Sequence, residues 1–264
     1  MAIFKARWKV VPICDYQKLD VHPEDLLDGG NFRKCETYRG GGGYDQFPAI
    51  AKRRLKMGYA PHKQFIAQLY GCNLDCPYCY VTRSGVWGTP VEFTTPELVN
   101  AFFRSSQQVF HLMGGAPAIY LEDWPEIAAA IDGFGFPVFH SDFLLTEKPY
   151  DISVLADLAD IGNSVFAVDI KGVTKEDYER NTRKPFREDL FWGNLERLVR
   201  TTGLQFYLTF TAPSKEKFLP FCDTLKSRFG ERILRDSFVI DLIDYDATPF
   251  VDILPVRKHE LEKI

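Results

Sequence analysis

No stretch of this sequence approaches the roughly twenty consecutive apolar residues that cross a bilayer, so no membrane-spanning helix is expected. The opening residues, Met1-Ala2-Ile3-Phe4-Lys5-Ala6-Arg7-Trp8, lack the apolar core of a signal peptide, and no secretory leader is expected. An excess of positive charge is also missing. The formal net charge is −4 and the pI about 5.8, which excludes a global basic footprint for nucleic acid but leaves a local patch open. Cysteine is sparse, at 6 residues in 264. In a secreted chain these could pair as disulfides. In a chain this long, with half of them clustered, ligation in a reducing cytoplasm is the expectation. Internal repeats are absent, as is low complexity beyond Gly40-Gly41-Gly42-Gly43. What is present reads as an ordinary globular chain, with 45% hydrophobic and 26% charged residues and a length suited to one large domain or two small ones.

The organising stretch is Cys72-Asn73-Leu74-Asp75-Cys76-Pro77-Tyr78-Cys79-Tyr80. Thiolates are soft ligands that suit iron–sulfur clusters, copper(I) and zinc. Closed zinc and cubane sites take four protein ligands, and this loop supplies three. Three thiolates on a four-iron cubane leave one iron open to a small molecule. The alternative is a zinc knuckle that borrows a distant fourth ligand. Asn, Asp and Pro between the cysteines argue against three thiols packed in a core. C-x3-C-x2-C with an aromatic, Tyr78, before the last cysteine resembles the signature of the radical S-adenosylmethionine (radical SAM) superfamily. Gly71-Cys72-Asn73-Leu74 is a common lead-in to it. The resemblance implies a [4Fe-4S] cluster on Cys72, Cys76 and Cys79, with S-adenosylmethionine (SAM) on the open iron. Cys14, Cys35 and Cys222 are scattered and are expected to be core or surface thiols.

Residues 1–63 form an N-terminal extension in this reading. Arg7 to Cys14 is apolar enough for a strand, Asp28-Gly29-Gly30-Asn31 signals a turn, and the four glycines belong in a loop. Lys52-Arg53-Arg54-Leu55-Lys56 reads as a solvated helix face before it reads as a phosphate or RNA contact. Residues 64–248 alternate regularly. Strands are expected at Gln64 to Tyr70, Val109 to Met113, Phe136 to His140, Val165 to Ile170, Leu204 to Phe210 and Phe238 to Ile243. Helices are expected at Trp124 to Ile131, Ile152 to Asp160, Thr174 to Arg180, Asp189 to Arg200 and Lys215 to Phe229. A further helix is capped by Thr95, with Pro96 in its first position and Leu98, Phe102 and Val109 on its apolar face. The strands are short and nearly all apolar, as parallel strands covered on both faces are. The expected fold is α/β, an open partial (β/α)6 barrel, with residues 249–264 as a short C-terminal tail. Radical SAM proteins have such a core, so periodicity and motif agree.

In such sheets ligands sit at the carboxyl ends of the strands. The polar residues of this chain collect there. Gly114-Gly115-Ala116-Pro117 resembles the radical SAM Gly-Gly-Glu-Pro segment, which bonds the SAM amino group, with Ala116 in place of the usual Glu. The third strand ends at Ser141 and Asp142, and the fourth at Asp169-Ile170-Lys171. A lysine and a carboxylate at a strand mouth fit the zwitterionic end of SAM, or a small cation, or a salt bridge that closes the barrel edge. The resemblance therefore implies SAM contacts from Tyr78, Gly114, Gly115, Ala116, Pro117, Ser141, Asp169 and Lys171.

Asp-x-Lys at this point looks like the glycyl-radical-enzyme activases, as does Val251-Asp252-Ile253-Leu254-Pro255, although Val256-Arg257 stands where that family has Tyr-His. Lys175-Glu176-Asp177-Tyr178, Arg183-Lys184-Pro185 and Leu208-Thr209 are similar to wyosine-type tRNA-modifying radical SAM enzymes. Those carry a second cluster from N-terminal cysteines, for which Cys14 and Cys35 are too few. The resemblance implies reductive cleavage of SAM by a cytoplasmic oxidoreductase. It also implies an electron donor such as flavodoxin or ferredoxin, and a substrate that is a protein, an RNA or a small molecule. The alternative of another class is a non-catalytic iron–sulfur or zinc module.

Overall fold

The computed structural model describes residues 7–10, 64–77, 79, 86–105, 108–134, 138–211, 213–235, 237–240 and 247–249. Outside these lie Cys14, Cys35, the turn at 28–31, the four glycines, the basic run at 52–56, Tyr78 and the Leu254-Pro255 segment. Among the described residues the chain runs β1 (Arg7–Val10), β2 (Gln64–Gln68), β3 (Val91–Thr94), α1 (Thr95–Ser105), β4 (Val109–Met113), α2 (Trp124–Asp132), β5 (Val138–Phe143), α3 (Ile152–Asp160), β6 (Ser164–Ile170), α4 (Lys175–Thr182), α5 (Glu188–Arg200), β7 (Phe206–Thr211), α6 (Lys215–Phe229), β8 (Phe238–Ile240) and β9 (Ala247–Pro249). Short 3₁₀ turns at Pro117–Asp123 and Glu231–Leu234 precede α2 and β8.

The main sheet has the order β2-β4-β5-β6-β7-β8-β9. The pairings from β2 to β8 are all parallel, and β9 returns antiparallel on the edge. Each parallel strand lies beside the next one in the chain, with helix between them. Winding in one direction without reversal is what a partial barrel requires, and a doubly wound sheet would reverse at its switch point. The fold is α/β, a partial (β/α)6 barrel.

Several elements differ from the sequence-based expectation. Val109 opens β4 and is not on the face of α1. The cap of α1 is Thr94, one residue earlier than expected. Its N–H and hydroxyl both reach Glu97 Oε2, at 2.7 and 2.8 Å, as in half of a capping box. Pro96 is then the second helical residue. Thr95 is instead buried, where it accepts the Trp8 Nε1–H at 3.0 Å and donates to Glu126. Val138–Phe143 carries His140, Ser141 and Asp142 inside the strand rather than at its end. The pair β1–β3 is antiparallel and brings Trp8, fully buried, into the main core.

The sheet has two unlike faces, because alternate residues of a strand point to opposite sides. One face carries Phe110, Leu112, Phe139, Phe143, Phe166, Val168, Leu208 and Phe210 into the hydrophobic core. There they meet Trp124 and Ile127 of α2, Leu155 of α3, Leu195 of α5 and Phe218 of α6. Trp124 stacks on Phe166, with ring centroids 5.6 Å apart and planes 16° apart. Burial of each such side chain contributes roughly 1.5–3 kcal/mol. The other face carries His111, His140, Asp142, Asp169, Tyr207 and Thr209 at alternate positions. A strand buried on both faces is expected to be apolar throughout, and on this face it is not.

Candidate functional site at the carboxyl ends of the strands

β2 runs into the cysteine loop, and the loop is fixed from four directions. Tyr70 N–H donates to Lys9 O at 3.0 Å, which ties the strand end to β1. Gly71 N–H donates to Val86 O at 2.9 Å, and Asp75 N–H to Thr182 O at the end of α4 at 3.0 Å. Asn73 Nδ2 donates to Thr146 Oγ1 at 3.3 Å, and Thr146 Oγ1 is 2.7 Å from Tyr178 Oη. Leu74 packs with Ala116, Leu144 and Tyr178, and Cys72 and Cys76 lie against that group. The last part of the loop is a turn closed by Cys79 N–H to Cys76 O at 3.1 Å.

The three thiols are half-buried and not joined in a disulfide. Leu74 N–H donates to Cys72 Sγ at 3.4 Å. Burial pushes the Cys72 thiol up to about 12, against the opposing pull of that N–H bond. A thiolate there is therefore unfavourable alone and favourable beside bound cationic metal.

The Gly-Gly-Ala-Pro turn follows β4 and presses on the start of this loop. Gly114 and Gly115 have φ of +75° and +60°, in the left-handed region. A Cβ on Gly115 would sit 2.1 Å from Gly71 O. The neighbouring Ala116 N–H donates to the same oxygen at 2.9 Å. Ala116 is fully buried, and Pro117 begins the 3₁₀ turn. The glycines thus let two loops from adjacent strands touch backbone to backbone.

The structure separates the remaining expected residues. Asp169 and Lys171 do pair, with Lys171 Nζ 3.0 Å from Asp169 Oδ2 and side-chain exposures of 16% and 18% for Lys171 and Asp169. Thr209 Oγ1 donates to Asp169 Oδ1 at 2.5 Å, so the carboxylate is held from two strands. Ser141 is placed elsewhere. It shares the face of Phe139 and Phe143, is fully buried, and donates to Leu112 O at 2.9 Å. Strand parity explains the difference, since the residue two positions from a core phenylalanine must face the core. Its neighbour Asp142 points to the polar face instead.

That face holds residues the sequence reading did not single out. His111 of β4 and His140 of β5 are register partners, with rings 4.2 Å apart at 85°. His111 Nε2 lies 3.4 Å from Asp142 Oδ2. His140 Nε2 lies 3.0 Å from Tyr207 Oη. Both imidazoles are 3% exposed, and burial pushes each down to about 3, so they are neutral. Burial and the nearby Asp169 charge raise Asp142 well above the usual carboxylate range. His140-Ser141-Asp142 carries the signal in sequence once β5 is extended by two residues.

Among solved structures, that of SuiB from Streptococcus suis is similar to the chain with a TM-score of 0.53 and 11% identity, over 81% of this chain and 49% of SuiB. The structure of SuiB bound to S-adenosylmethionine gives 0.50 and 12%, over 81% and 47%. At these identities the likeness is one of fold, and the chain spans about half the length of the SuiB chains it matches. No curated protein matches the sequence. The family model described as "Radical SAM superfamily" matches residues 68–202, more than half of the 264, from the last residue of β2 through the cysteine loop to just past the end of α5. On that match, the chain belongs to the radical SAM superfamily.

Proposed function

We propose that Cys72, Cys76 and Cys79 hold a [4Fe-4S] cluster, that SAM binds its open iron, and that the chain is a radical SAM enzyme. The carrying observation is the set of three thiols on one braced loop at the carboxyl end of the first parallel strand, against the Gly114-Gly115 turn. Together the two groups would supply one-electron reductive cleavage of the sulfonium carbon–sulfur bond and, from it, hydrogen-atom abstraction from the substrate. The protein's part is placement and exclusion of water. Leu74 N–H directs a donor at Cys72 Sγ, which favours the thiolate and tunes the cluster. Asp169 and Lys171 offer a carboxylate and an ammonium to the amino and carboxylate groups of SAM. The likeness of Asp169-Ile170-Lys171 to the activases supports a protein as the hydrogen donor, with flavodoxin or ferredoxin supplying the electron.

Anaerobic reconstitution tests this reading. The wild-type chain should carry about four iron and four sulfide and release 5′-deoxyadenosine from SAM under reductant. Cys72→Ala, Cys76→Ala and Cys79→Ala should each lose both. Retained cleavage in any one variant, or stoichiometric zinc with no iron in the wild type, overturns it.

A further inference from the structure

The polar face of the barrel contains a second constellation with metal-ligand chemistry. His111, His140 and Asp142 each offer a donor atom, and these atoms lie within 4.8 Å of one another. They come from two adjacent strands. His111 and His140 are opposite each other in the β4–β5 register, and Asp142 is two residues beyond His140 on the same side. The backbone therefore fixes where all three project. We propose that His111, His140 and Asp142 bind a single divalent first-row transition-metal ion, distinct from the cysteine loop, with an open coordination position for an oxygen or nitrogen ligand.

Four observations carry this. The first is the donor set, because two imidazoles and a carboxylate suit zinc or iron(II) and leave positions open. The second is spacing. A tetrahedral ion with bonds of about 2.0–2.1 Å holds its ligand atoms about 3.4 Å apart, and His111 Nε2 and Asp142 Oδ2 are 3.4 Å apart. The third is the support around the ligands. A metal-bound imidazole is commonly oriented by a hydrogen bond at its other ring nitrogen. Tyr207 Oη makes that bond to His140 Nε2 at 3.0 Å, which leaves Nδ1 as the nitrogen that would ligate. The fourth is pairing. Lys171 is engaged by Asp169 at 3.0 Å, and Asp142 faces the His111 imidazole at 3.4 Å.

The site uses no cysteine, so its test does not depend on the cluster. Anaerobic cobalt(II) titration of the triple variant Cys72→Ala/Cys76→Ala/Cys79→Ala should give one equivalent with the visible ligand-field absorption of a low-coordinate ion, displaced by zinc(II). Asp142→Asn and His111→Gln in that background should each weaken cobalt binding at least a hundredfold. Tyr207→Phe should weaken it about ten- to a hundredfold. A triple variant with wild-type far-ultraviolet circular dichroism and no cobalt overturns the proposal, as does binding unchanged by Asp142→Asn. Should the triple variant fail to fold, the reconstituted wild type takes its place. Elemental analysis must then return one cobalt beyond the cluster iron, and finding none overturns the proposal equally.

Discussion

Gly115→Ala adds one methyl group and should disable the cysteine loop. Two costs add. Alanine at φ +60° costs about 1–2 kcal/mol relative to glycine. The new Cβ would also lie 2.1 Å from Gly71 O, with Gly71 C and Leu69 O at 3.1 Å. An ordinary contact needs more than an ångström of retreat, and the obstacle is backbone. Gly71 cannot retreat without straining the bonds that brace it, Ala116 N–H to its carbonyl and its own N–H to Val86 O, both 2.9 Å. Loss of one such bond leaves a buried partner at about 1–3 kcal/mol. The sum is about 2–5 kcal/mol, and it falls on the residue next to Cys72. The expected result is a melting temperature lower by roughly 5–15 °C and substoichiometric iron and sulfide after anaerobic reconstitution. Gly133→Ala is the control, since its Cβ meets only Ala129 O at 3.8 Å and its φ is −56°. Normal iron content and an unchanged melting temperature in Gly115→Ala would refute the reasoning.

Asn194 is fully buried on α5, accepts from Tyr150 N–H at 2.9 Å, and donates to Leu145 O and Lys148 O at 2.9 and 2.7 Å. Asn194→Leu keeps the volume and strands three backbone groups, so thermal denaturation should show about 3–5 kcal/mol of lost stability; a loss under about 0.5 kcal/mol would count against the clamp. Lys171→Met removes the ion pair with Asp169, and calorimetry on anaerobic protein should show SAM affinity reduced about ten- to a hundredfold, the worth of one charge-assisted bond. A lower melting temperature with unchanged affinity per folded molecule would reduce the pair to a local brace at the end of β6.

The strand–helix alternation was legible because its signals are local. Val109–Met113, Ile152–Asp160 and Lys215–Phe229 fall at the expected limits, and Thr174 caps α4 by accepting Asp177 N–H at 3.1 Å. The cysteine loop was legible because its chemistry is written in consecutive residues. What escaped depends on partners far away in the chain. β3 is four residues, Val-Glu-Phe-Thr, and exists by pairing with Arg7–Val10. The polar face escaped for another reason. Parallel strands are expected to be apolar throughout, so His140-Ser141-Asp142 read as a strand ending, and His111 was absorbed into an apolar run. Ser141 was assigned by its position at that supposed end, whereas parity sends it into the helical layer. The general pattern fails where the sheet carries its buried polar groups.

The four-sided bracing of the cysteine loop has a consequence for how the protein is made. Lys9, Val86, Thr146 and Thr182 all hold Tyr70 to Asp75, and Thr182 is contributed only by the end of α4. Contacts across such long loops form late, after the chain entropy of closure has been met. A nascent chain that has not yet emerged beyond α4 has the three thiols and their partners at Lys9, Val86 and Thr146 but lacks Thr182, so the loop is fully braced only once at least four of the parallel strands are complete. On the proposed cluster assignment, iron and sulfide delivered to a partly synthesised chain would meet a loop short of one brace, and delivery after release would meet the complete socket.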